Sequence, residues 1–529
     1  MVYTTLASLR FFPHSLDYMS RLSQTKIFKA AFSGELIALS SFVVYLSTLA
    51  PDVYGFDSAE FATGAYSLGI VHPPGFPLYM LIGKLLSFLP FGSVAYRLNF
   101  MSAFFAALTI YVLFYVIYRV TACAWIAWVS SAFLAFSIYF WNMSVVAEVY
   151  TLHTFFLVLE LLILLRWRET GKKSILVLFA FVFGLSLTNH TTGLMFAPGF
   201  AWLIVSSPKW KWRVDWSWAL IILSFLLGLL VYIYIPIRAN SNTPLNYIKD
   251  YYSVDVTTLS GLIWMISGKA YHFFAFGYHG SEILQQFAIC INLFWRNFAG
   301  VGFLVGILGM IVSFRRDWKI ALACLLIFLA NFCFYLNYRV LDKDTMFLPA
   351  YTIFSVYIAF GLSYIDYLLR KIVGVDTSFR LIPQVHPVFW AGMVILSLVL
   401  NWKWTDMSDA FGPETYSSMI MQSVENNATI IANWSPAVVL EYYQIVEGKR
   451  TDLHIYNQSR IEVARYYQYW SMGKPAPQIS AAVSRDELSD IDQLYEDSTL
   501  YSIEYDPVIA KKYEYVPVGT FYRLEKKVR

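Results

Sequence analysis

Two carboxylates near the N-terminal end of the chain have the spacing of a general-base site. Asp57 and Glu60 are three residues apart, so on one helical turn both side chains converge on the same face. A carboxylate that is partly shielded from water becomes more basic, which suits it to accept a proton from a hydroxyl group. A second interpretation stays open, because Asp57 and Ser58 are also residues that cap the N-terminus of a helix.

A histidine follows at the start of an unusually stiff segment, His72-Pro73-Pro74-Gly75. Two successive prolines and a glycine impose an extended backbone and then a turn, and the histidine is held at its beginning. At a membrane, such irregular backbone is tolerated where it lines a cavity. We therefore predict a functional role for His72, next to the two carboxylates.

Glu148 and His190 each stand at the edge of a long apolar run. An ionisable residue at the end of a hydrophobic helix is costly and indicates function, although a helix N-terminus also favours a carboxylate. His190 is interpreted either as a hydrogen-bond donor to a phosphate or sugar hydroxyl, or as a turn residue. Both alternatives stay open for each residue.

The later candidates are charged residues in two further loops. Arg238 ends an apolar run, where it either extends toward lipid headgroups or binds a phosphate through its two-pronged guanidinium. Arg339, Asp342 and Asp344 fall with Lys343 in one short connection between apolar runs. A solvated turn would account for charged residues in this connection. It does not account for four of them in so short a connection, on the same face as the other polar candidates.

The elements that must position these residues are membrane helices. Of the 529 residues, 58% are hydrophobic and only 14% are charged, against about 25% charged residues in soluble proteins. The net charge of +4 is small and forms no basic run, which argues against nucleic acid as a partner. The four cysteines lie in apolar segments, which argues against a disulfide framework, and their spacing contains no C-x-x-C metal pattern.

A membrane-spanning helix needs about 20 apolar residues, and fewer within a packed bundle. On this rule we predict about eleven spans, and we interpret the shorter segment 76–90 as a re-entrant or interfacial helix. The predicted spans are 34–50, 98–118, 122–141, 146–165, 174–189, 191–206, 216–237, 290–313, 319–337, 346–369 and 386–401.

Alternate loops differ in basic residues, which predicts the orientation. One set, together with the basic N-terminus, holds most of the lysines and arginines of residues 1–402 and is predicted to be cytoplasmic. Its members are Arg166, Arg168, Lys172, Lys173, Lys209, Lys211, Arg213, Arg315, Arg316, Lys319, Arg370, Lys371 and Arg380. The opposite set holds all nine candidate residues, so the predicted site lies on the outer face.

We predict two domains, a membrane domain over residues 1–402 and an extracytoplasmic α/β domain over 403–529. In the second, an apolar run at Thr429–Ala432, a helical stretch at Ser435–Glu447 and a run at Leu453–Tyr456 indicate a strand–helix–strand unit. About 120 residues are enough to fold independently. The protein is expected to be an integral multi-pass membrane protein, in the inner membrane if it is bacterial.

At these residues the sequence resembles membrane glycosyltransferases of the protein O-mannosyltransferase-like kind, including the eukaryotic transmembrane-260 type and its bacterial relatives. The resemblance covers roughly the first 370 residues, and its most specific part is the His-Pro-Pro-Gly loop. The matching segments are Asp57–Glu60, Leu68–Tyr79, Ala147–Tyr150, Ser186–His190, Tyr234–Arg238, Pro244–Asn246 and Asp344–Tyr351.

The resemblance implies a glycosyltransferase-C fold and a polyprenyl-phosphate-linked sugar as donor. Asp57 would be the base that accepts the proton of the acceptor hydroxyl, with inversion at the anomeric carbon. Glu60, His72 and Glu148 would orient acceptor or sugar. Arg238, with His190 and Arg339, would neutralise the leaving phosphate.

The implied donor carries mannose or another hexose, and the implied acceptor is a protein Ser/Thr or a glycan. Membrane lipids are the other expected partners, and we expect neither a cofactor nor a metal.

Two other classes of function are weighed against this interpretation. A transporter or lipid flippase should carry ionisable residues along a path near mid-membrane, whereas these spans are largely free of mid-helix charge. A receptor with an outer ligand-binding domain would not need about eleven spans, since one span is enough for an anchor.

Overall fold

The structure is a computed structural model that describes residues 24–210, 215–340, 342–375 and 382–527. Five basic residues of the N-terminus and loops used to predict the orientation, Arg10, Arg21, Lys211, Arg213 and Arg380, lie outside the described residues. The described part consists of a large helical bundle and a smaller α/β domain near the C-terminus.

The bundle begins with long apolar helices and shorter helices packed between them, several of which are largely buried. Its first nine helices are α1 Gln24–Ser47, α2 Asp57–Ser67, α3 Pro77–Ser87, α4 Val94–Thr121, α5 Ala124–Ala135, α6 Ile138–Ser144, α7 Tyr150–Thr170, α8 Lys173–Leu187 and α9 Ala197–Val205. The remaining helices are α10 Trp216–Leu229, α11 Tyr234–Ala239, α12 Tyr247–Tyr251, α13 Leu259–Ile266, α14 Ser281–Asn297, α15 Val301–Leu336, α16 Lys343–Met346, α17 Leu348–Val375 and α18 Ile382–Thr405.

Within the described residues, six helical segments are long and apolar enough to cross a membrane. They are Val94–Thr121, Tyr150–Thr170, Trp216–Ala239, Val301–Leu336, Leu348–Lys371 and His386–Thr405. Helices α5 and α6 form a seventh if the pair, bent by 69°, is one span. The chain is therefore an integral multi-pass membrane protein, whereas the predicted number of about eleven spans stays a prediction that also counts shorter helices.

Helix α15 is a hairpin of two antiparallel segments. At Asp317 the backbone leaves the helical region (φ −147°, ψ 89°). The ring of Phe354 on α17 lies 5.8 Å from that of Phe303, before the break, and 6.3 Å from that of Phe328, after it. Because 25 helical residues would separate those positions by about 37 Å, the chain must reverse between them.

The predicted span at 290–313 is wrong in its bounds, since a helix ends at Asn297 and another begins at Val301. Ala299 and Gly300 both have positive φ, 50° and 67°, which interrupts the helix. The expectation of spans without mid-helix charge also has an exception, because Glu160 is buried within α7.

Basic loops that were predicted to share one side of the membrane meet at one end of the bundle. Lys319 donates from Nζ to the backbone oxygen of Ser206 at 2.7 Å, and Arg168 donates to the Oγ of the same serine at 3.0 Å. Arg316 donates to the backbone oxygen of Thr121 at 3.0 Å. These contacts join the connections after α4, after α9 and within α15.

The smaller domain is built on a five-stranded sheet with the order β2-β1-β3-β5-β4. Strands β1, β2 and β3 are parallel, and β5 pairs antiparallel with both β3 and β4. Its elements are α19 Gly412–Ser423, β1 Thr429–Ala432, α20 Trp434–Ile445, β2 His454–Asn457, α21 Gln458–Ser471, α22 Ala476–Asp497, β3 Leu500–Ser502, β4 Tyr513–Val518 and β5 Phe521–Lys526. The parallel strands need helical crossovers, which α20 and the pair α21–α22 supply.

This domain packs closely on the end of the bundle that carries α2. The backbone N–H of Ala95 donates to the hydroxyl of Tyr442 on α20 at 3.2 Å. The indole of Trp264 on α13 donates to the hydroxyl of Tyr467 on α21 at 2.8 Å. Side chains of the sheet domain and of the bundle therefore share one hydrophobic core.

Candidate active site

The two carboxylates of the first loop converge as their spacing predicts. Helix α2 begins at Asp57, and its N-cap residue is Phe56, with no side-chain capping bond among the described contacts. The hydroxyl of Ser58 instead accepts a hydrogen bond from the backbone N–H of Ala147 at 3.1 Å. Asp57 and Ser58 are thus not the cap of this helix: the side chain of Asp57 borders the cavity, and that of Ser58 is buried against Ala147.

His72 joins the two carboxylates from the far end of the loop. Its backbone N–H donates to Glu60 Oε1 at 2.7 Å, and its Nδ1 lies 2.9 Å from Glu60 Oε2. The same Nδ1 lies 3.6 Å from Asp57 Oδ1. Both oxygens of Glu60 therefore hold His72, and they hold it against Asp57.

The turn after His72 depends on glycine. Gly75 has φ +89°, and its N–H donates to the backbone oxygen of His72 at 2.9 Å. A Cβ at this position would lie 2.9 Å from Met265 and 3.1 Å from Ile235, both in well-packed surroundings. The Pro-Pro-Gly segment thus closes a tight turn that returns the backbone over α2.

The site contains an arginine that the sequence analysis did not single out. Arg460 of α21 lies with Nη2 2.8 Å from Glu60 Oε2 and with Nη1 3.0 Å from Glu441 Oε2. Its guanidinium also stacks over the ring of Tyr247 at 5.0 Å, and its side chain is 3% exposed. It could have been suspected from its position just after β2, since the carboxyl ends of parallel strands are where such folds place functional side chains.

The surroundings shift the pKa values of the two carboxylates in opposite directions. Burial raises the pKa of Asp57 to about 6, and the neighbouring His72 opposes this only in part. Burial alone would also raise the pKa of Glu60, but Arg460 and His72 together lower it to about 2. A pair of acids whose pKa values are driven apart is typical of a site in which one is a base and the other a permanent anion.

Asp57, Glu60 and His72 open into a cavity of about 1330 Å³. Its other charged or polar members include His190, Arg339, Asp342, Arg460 and Ser459. The rest of the wall is mainly apolar or aromatic and includes Leu194, Met195, Leu229, Tyr232, Ile263, Ile266, Phe276, Phe334 and Met346. The cavity therefore combines a cluster of acidic residues with an apolar wall that could hold a hydrocarbon chain.

His190 and Arg339 hold different positions in this wall. The Nδ1 of His190 lies 2.7 Å from the hydroxyl of Thr192, and its ring stacks on that of His153 with centroids 4.9 Å apart. Arg339 lies 5.3 Å above the ring of Tyr278, and its side chain is 58% exposed. Arg339 is thus a largely solvated charge, 3.7 Å from Glu282 Oε1, whereas His190 is held by its neighbours within the wall.

Three predicted site residues do not line the cavity. Arg238 donates to the backbone oxygens of Leu68 at 2.7 Å and Ser67 at 3.2 Å, so it fixes the loop between α2 and α3. Asp344 lies outside the lining, although its near neighbour Asp342 is part of it. Burial raises the pKa of both aspartates.

Glu148, the third of these residues, is buried behind the acidic end of the cavity. Its backbone N–H donates to the hydroxyl of Ser102 on α4 at 3.0 Å. Burial, and after it the charge of Asp57, raise its pKa well above the usual range. Its surroundings therefore favour the neutral form of this carboxyl over the charged one.

Asp57, Glu60 and His72 each offer one donor atom, and these atoms lie within 4.8 Å of one another, close enough to share a metal ion. Glu60 Oε2, however, is already in contact with both His72 and Arg460. A divalent cation would have to compete with the guanidinium for this oxygen. The contacts favour an ion-paired network over an open metal site, and the expected absence of a metal stays a prediction.

Comparison with known proteins supports the resemblance inferred from the motifs. Residues 57–213 match the family model described as the protein O-mannosyl-transferase TMEM260 N-terminal domain. The chain is 33% identical over 216 residues to protein O-mannosyl-transferase TMEM260 of Mus musculus, which is 40% of this chain and 31% of the mouse protein. It is 24% identical over 474 residues to protein O-mannosyl-transferase tmem260 of Dictyostelium discoideum, or 79% of this chain and 56% of that protein.

The alignments thus span about a third and just over half of these two relatives. Among solved structures, the fold is similar to that of ArnT from Cupriavidus metallidurans bound to undecaprenyl phosphate, with a TM-score of 0.56 and 12% identity. That likeness covers 92% of this chain and 96% of ArnT. It shows that this chain has the glycosyltransferase-C type of fold.

Proposed function

From this fold and its O-mannosyltransferase-like sequence, we propose that the protein is a membrane glycosyltransferase. It moves a hexose, mannose in the first instance, from a polyprenyl-phosphate carrier to a protein Ser/Thr or a glycan, and it inverts the anomeric carbon. The names of the two relatives, both protein O-mannosyl-transferases, support mannose as the sugar. The positive-inside rule supports a site on the outer face, with the N-terminus cytoplasmic and the C-terminal domain extracytoplasmic.

The observation that carries this proposal is the unequal state of the two carboxylates. Glu60 is engaged on both oxygens, whereas Asp57 Oδ1 makes no hydrogen bond to any described residue and borders the cavity. Its pKa of about 6 is close to neutral pH, where a general base combines availability with basicity. Asp57 is therefore the base, and Glu60 with His72 holds it in place.

In the proposed reaction, the acceptor hydroxyl gives its proton to Asp57 while its oxygen attacks the anomeric carbon. The bond between that carbon and the phosphate oxygen breaks, and its electron pair leaves with the polyprenyl phosphate. One proton and one sugar have then moved, and the carboxyl of Asp57 is neutral until it loses the proton to solvent. No intermediate bound covalently to the protein is needed for a single displacement with inversion.

The leaving phosphate gains negative charge and needs a cation near it. Arg339 is the best placed, because it lines the cavity and its only acidic neighbour among the described residues, Glu282 at 3.7 Å, is itself about half exposed, so the pair is weakly held. His190 can add a hydrogen bond from the same wall. Arg238, which was predicted for this task, uses its guanidinium on backbone oxygens instead, and we assign it a structural role.

The apolar part of the cavity is proposed to hold the first isoprene units of the carrier. Leu194, Leu229, Ile266, Phe334 and Met346 supply a wall without charge. Burial of an isoprene chain against such a surface stabilises binding by about 0.8 kcal/mol for each buried methylene group. Undecaprenyl phosphate bound to ArnT, which shares this fold, is consistent with such a carrier.

The test uses purified protein with a short-chain polyprenyl-phosphate mannose, and it follows labelled sugar into Ser/Thr peptides and into free mannose. Wild-type protein should consume the donor and release polyprenyl phosphate, and Asp57→Asn protein that still melts cooperatively should not. Glucosyl and galactosyl carriers in parallel test the choice of sugar. If the wild type moves the intact lipid across vesicles and consumes none of it, the protein is a flippase and the proposal fails.

A further inference from the structure

Arg460 is the one cation that the smaller domain places in contact with the described carboxylates of the first loop. It lies in the first turn of α21, directly after β2. The side chain of Asn457 caps this helix by accepting a hydrogen bond from the backbone N–H of Arg460 at 3.3 Å. Strand, cap and helix thus aim the guanidinium from the carboxyl edge of the sheet into the bundle.

The guanidinium forms a bridge between the two parts of the molecule. One end lies 2.8 Å from Glu60 of the bundle and the other lies 3.0 Å from Glu441 of α20. The two acids that it joins are 1% and 15% exposed. Burying charged groups costs desolvation free energy, and the ion pairs offset that cost only where each ion has its partner in place.

The bridge bears directly on the proposed base. Arg460 and the Nδ1 of His72 both contact the same oxygen of Glu60, Oε2. Glu60 in turn is what places His72 within 3.6 Å of Asp57. If Arg460 is removed, the Glu60 carboxylate loses the positive charge that stabilises its ionised form most. A protonated Glu60 can no longer accept hydrogen bonds from His72 with both of its oxygens.

We propose that Arg460 is a positioning residue that fixes Glu60 and, through it, His72 against Asp57, so that the active site is complete only when the C-terminal domain is docked. This inference deepens the proposed transferase function and, for its catalytic consequence, rests on it. If Arg460 had only a structural role, it would do no more than attach the two domains to each other. In the proposed role, the charge of Glu60, and with it the position of His72, depends on a residue of the other domain.

The first experiment measures the protonation of Glu60 without any substrate. A hydrophobic carbodiimide attaches to protonated carboxyl groups, and mass spectrometry of the peptide with Asp57 and Glu60 locates the adduct. In wild-type protein Glu60 should stay unlabelled from pH 5 to 8, since its pKa is about 2. In Arg460→Met protein its labelling at pH 7 should rise between about 10-fold and 1000-fold, the effect of losing an opposite charge at this distance.

Two further variants separate this role from general damage. Arg460→Lys keeps the charge and should keep Glu60 unlabelled. Arg465→Met removes another arginine of α21, one that pairs with Asp490 on α22, and it should behave like the wild type. All variants are compared after thermal melting has shown a folded population.

The second measurement is transfer of mannose from the short-chain carrier. Arg460→Met should lower kcat on the order of 100-fold, because loosening the base by an ångström is enough for such a loss. Arg460→Lys should recover much of the rate, and guanidinium added to Arg460→Gly protein should restore part of it. A folded Arg460→Met protein with unlabelled Glu60 and wild-type kcat would overturn the inference.

The two proposals fail in different ways. If wild-type protein does not consume the donor, the transferase function is wrong, whereas the labelling of Glu60 still decides whether Arg460 controls its charge. If transfer is normal in the wild type but Glu60 labels equally with and without Arg460, the transferase stands and the role of Arg460 is refuted.

Discussion

Asp57→Asn and Glu60→Gln should have opposite effects on stability, although the residues lie three apart on one helix. Burial raises the pKa of Asp57 from 3.8 to about 6, so its ionised form costs the folded protein roughly 3 kcal/mol at pH 7. Glu60 changes in the other direction, from 4.5 to about 2, so its charge stabilises the fold by roughly 3 kcal/mol. Asp57→Asn protein should therefore melt at a higher temperature than the wild type, and Glu60→Gln protein at a lower one.

The pH dependence follows from the same values. The cost of Asp57 is fully present above its folded pKa of about 6 and vanishes below 3.8, so the advantage of Asp57→Asn should shrink as the pH falls from 7 to 4. The contribution of Glu60 is present above 4.5 and is lost as the pH falls toward 2. The defect of Glu60→Gln should thus stay constant between pH 7 and 5.

The assay is thermal melting in detergent at several pH values, paired with donor consumption. Asp57→Asn should combine the higher melting temperature with a loss of 10² to 10⁴ in rate, on the order of 3–5 kcal/mol in the barrier, which is the usual contribution of a general base. Glu60→Gln should also leave Arg460 with only Glu441 as an acidic partner among the described residues. Two variants that both melt lower than the wild type, or an Asp57→Asn protein that retains full activity, would refute the division of roles.

Three other results are expected. The logarithm of kcat/KM should fall with unit slope below about pH 6, as Asp57 is protonated, and a profile that is flat down to pH 5 contradicts it as the base. Chelation with EDTA should leave the rate unchanged, and recovery of a lost rate by one added divalent metal would show that Asp57, Glu60 and His72 bind it. Arg339→Gln should raise the KM for the lipid donor, whereas Arg238→Gln should mainly lower the melting temperature because it fixes backbone oxygens; the reverse result would return the phosphate to Arg238.

The local parts of this site could be predicted from the sequence because they depend on short spacing. Asp57 and Glu60 share a face through the helical period, and the Pro-Pro-Gly turn brings His72 back over the same helix. The strand at Thr429–Ala432 could be located because a short apolar run stood in a polar context. These patterns need no knowledge of distant contacts.

The rest depends on contacts that periodicity does not encode. Arg460 lies 400 residues along the chain from Glu60, and its role appears only when the sheet is docked on the bundle. For Arg238 the sequence predicted a ligand contact that the structure does not support. An arginine at the end of an apolar run looks available to bind a ligand, but this guanidinium donates to the backbone of the loop after α2. The interruption at Ala299 and Gly300 was missed because apolar runs continue on both sides of a short Arg296-Asn297 pair, and the break itself depends on the positive φ of two residues.

The charges of the site also limit where the donor can bind. Three acids, Asp57, Glu60 and Glu441, face two basic side chains, His72 and Arg460, so the cluster has one excess negative charge when every group is ionised. An anionic phosphate is repelled by this cluster and is drawn toward Arg339. The acceptor hydroxyl at Asp57 and the leaving phosphate at Arg339 would then flank the anomeric carbon, which is the arrangement that a single inverting displacement requires. Uptake of the acceptor proton by Asp57 neutralises the cluster, so the step that breaks the donor bond also removes the repulsion that kept the phosphate away.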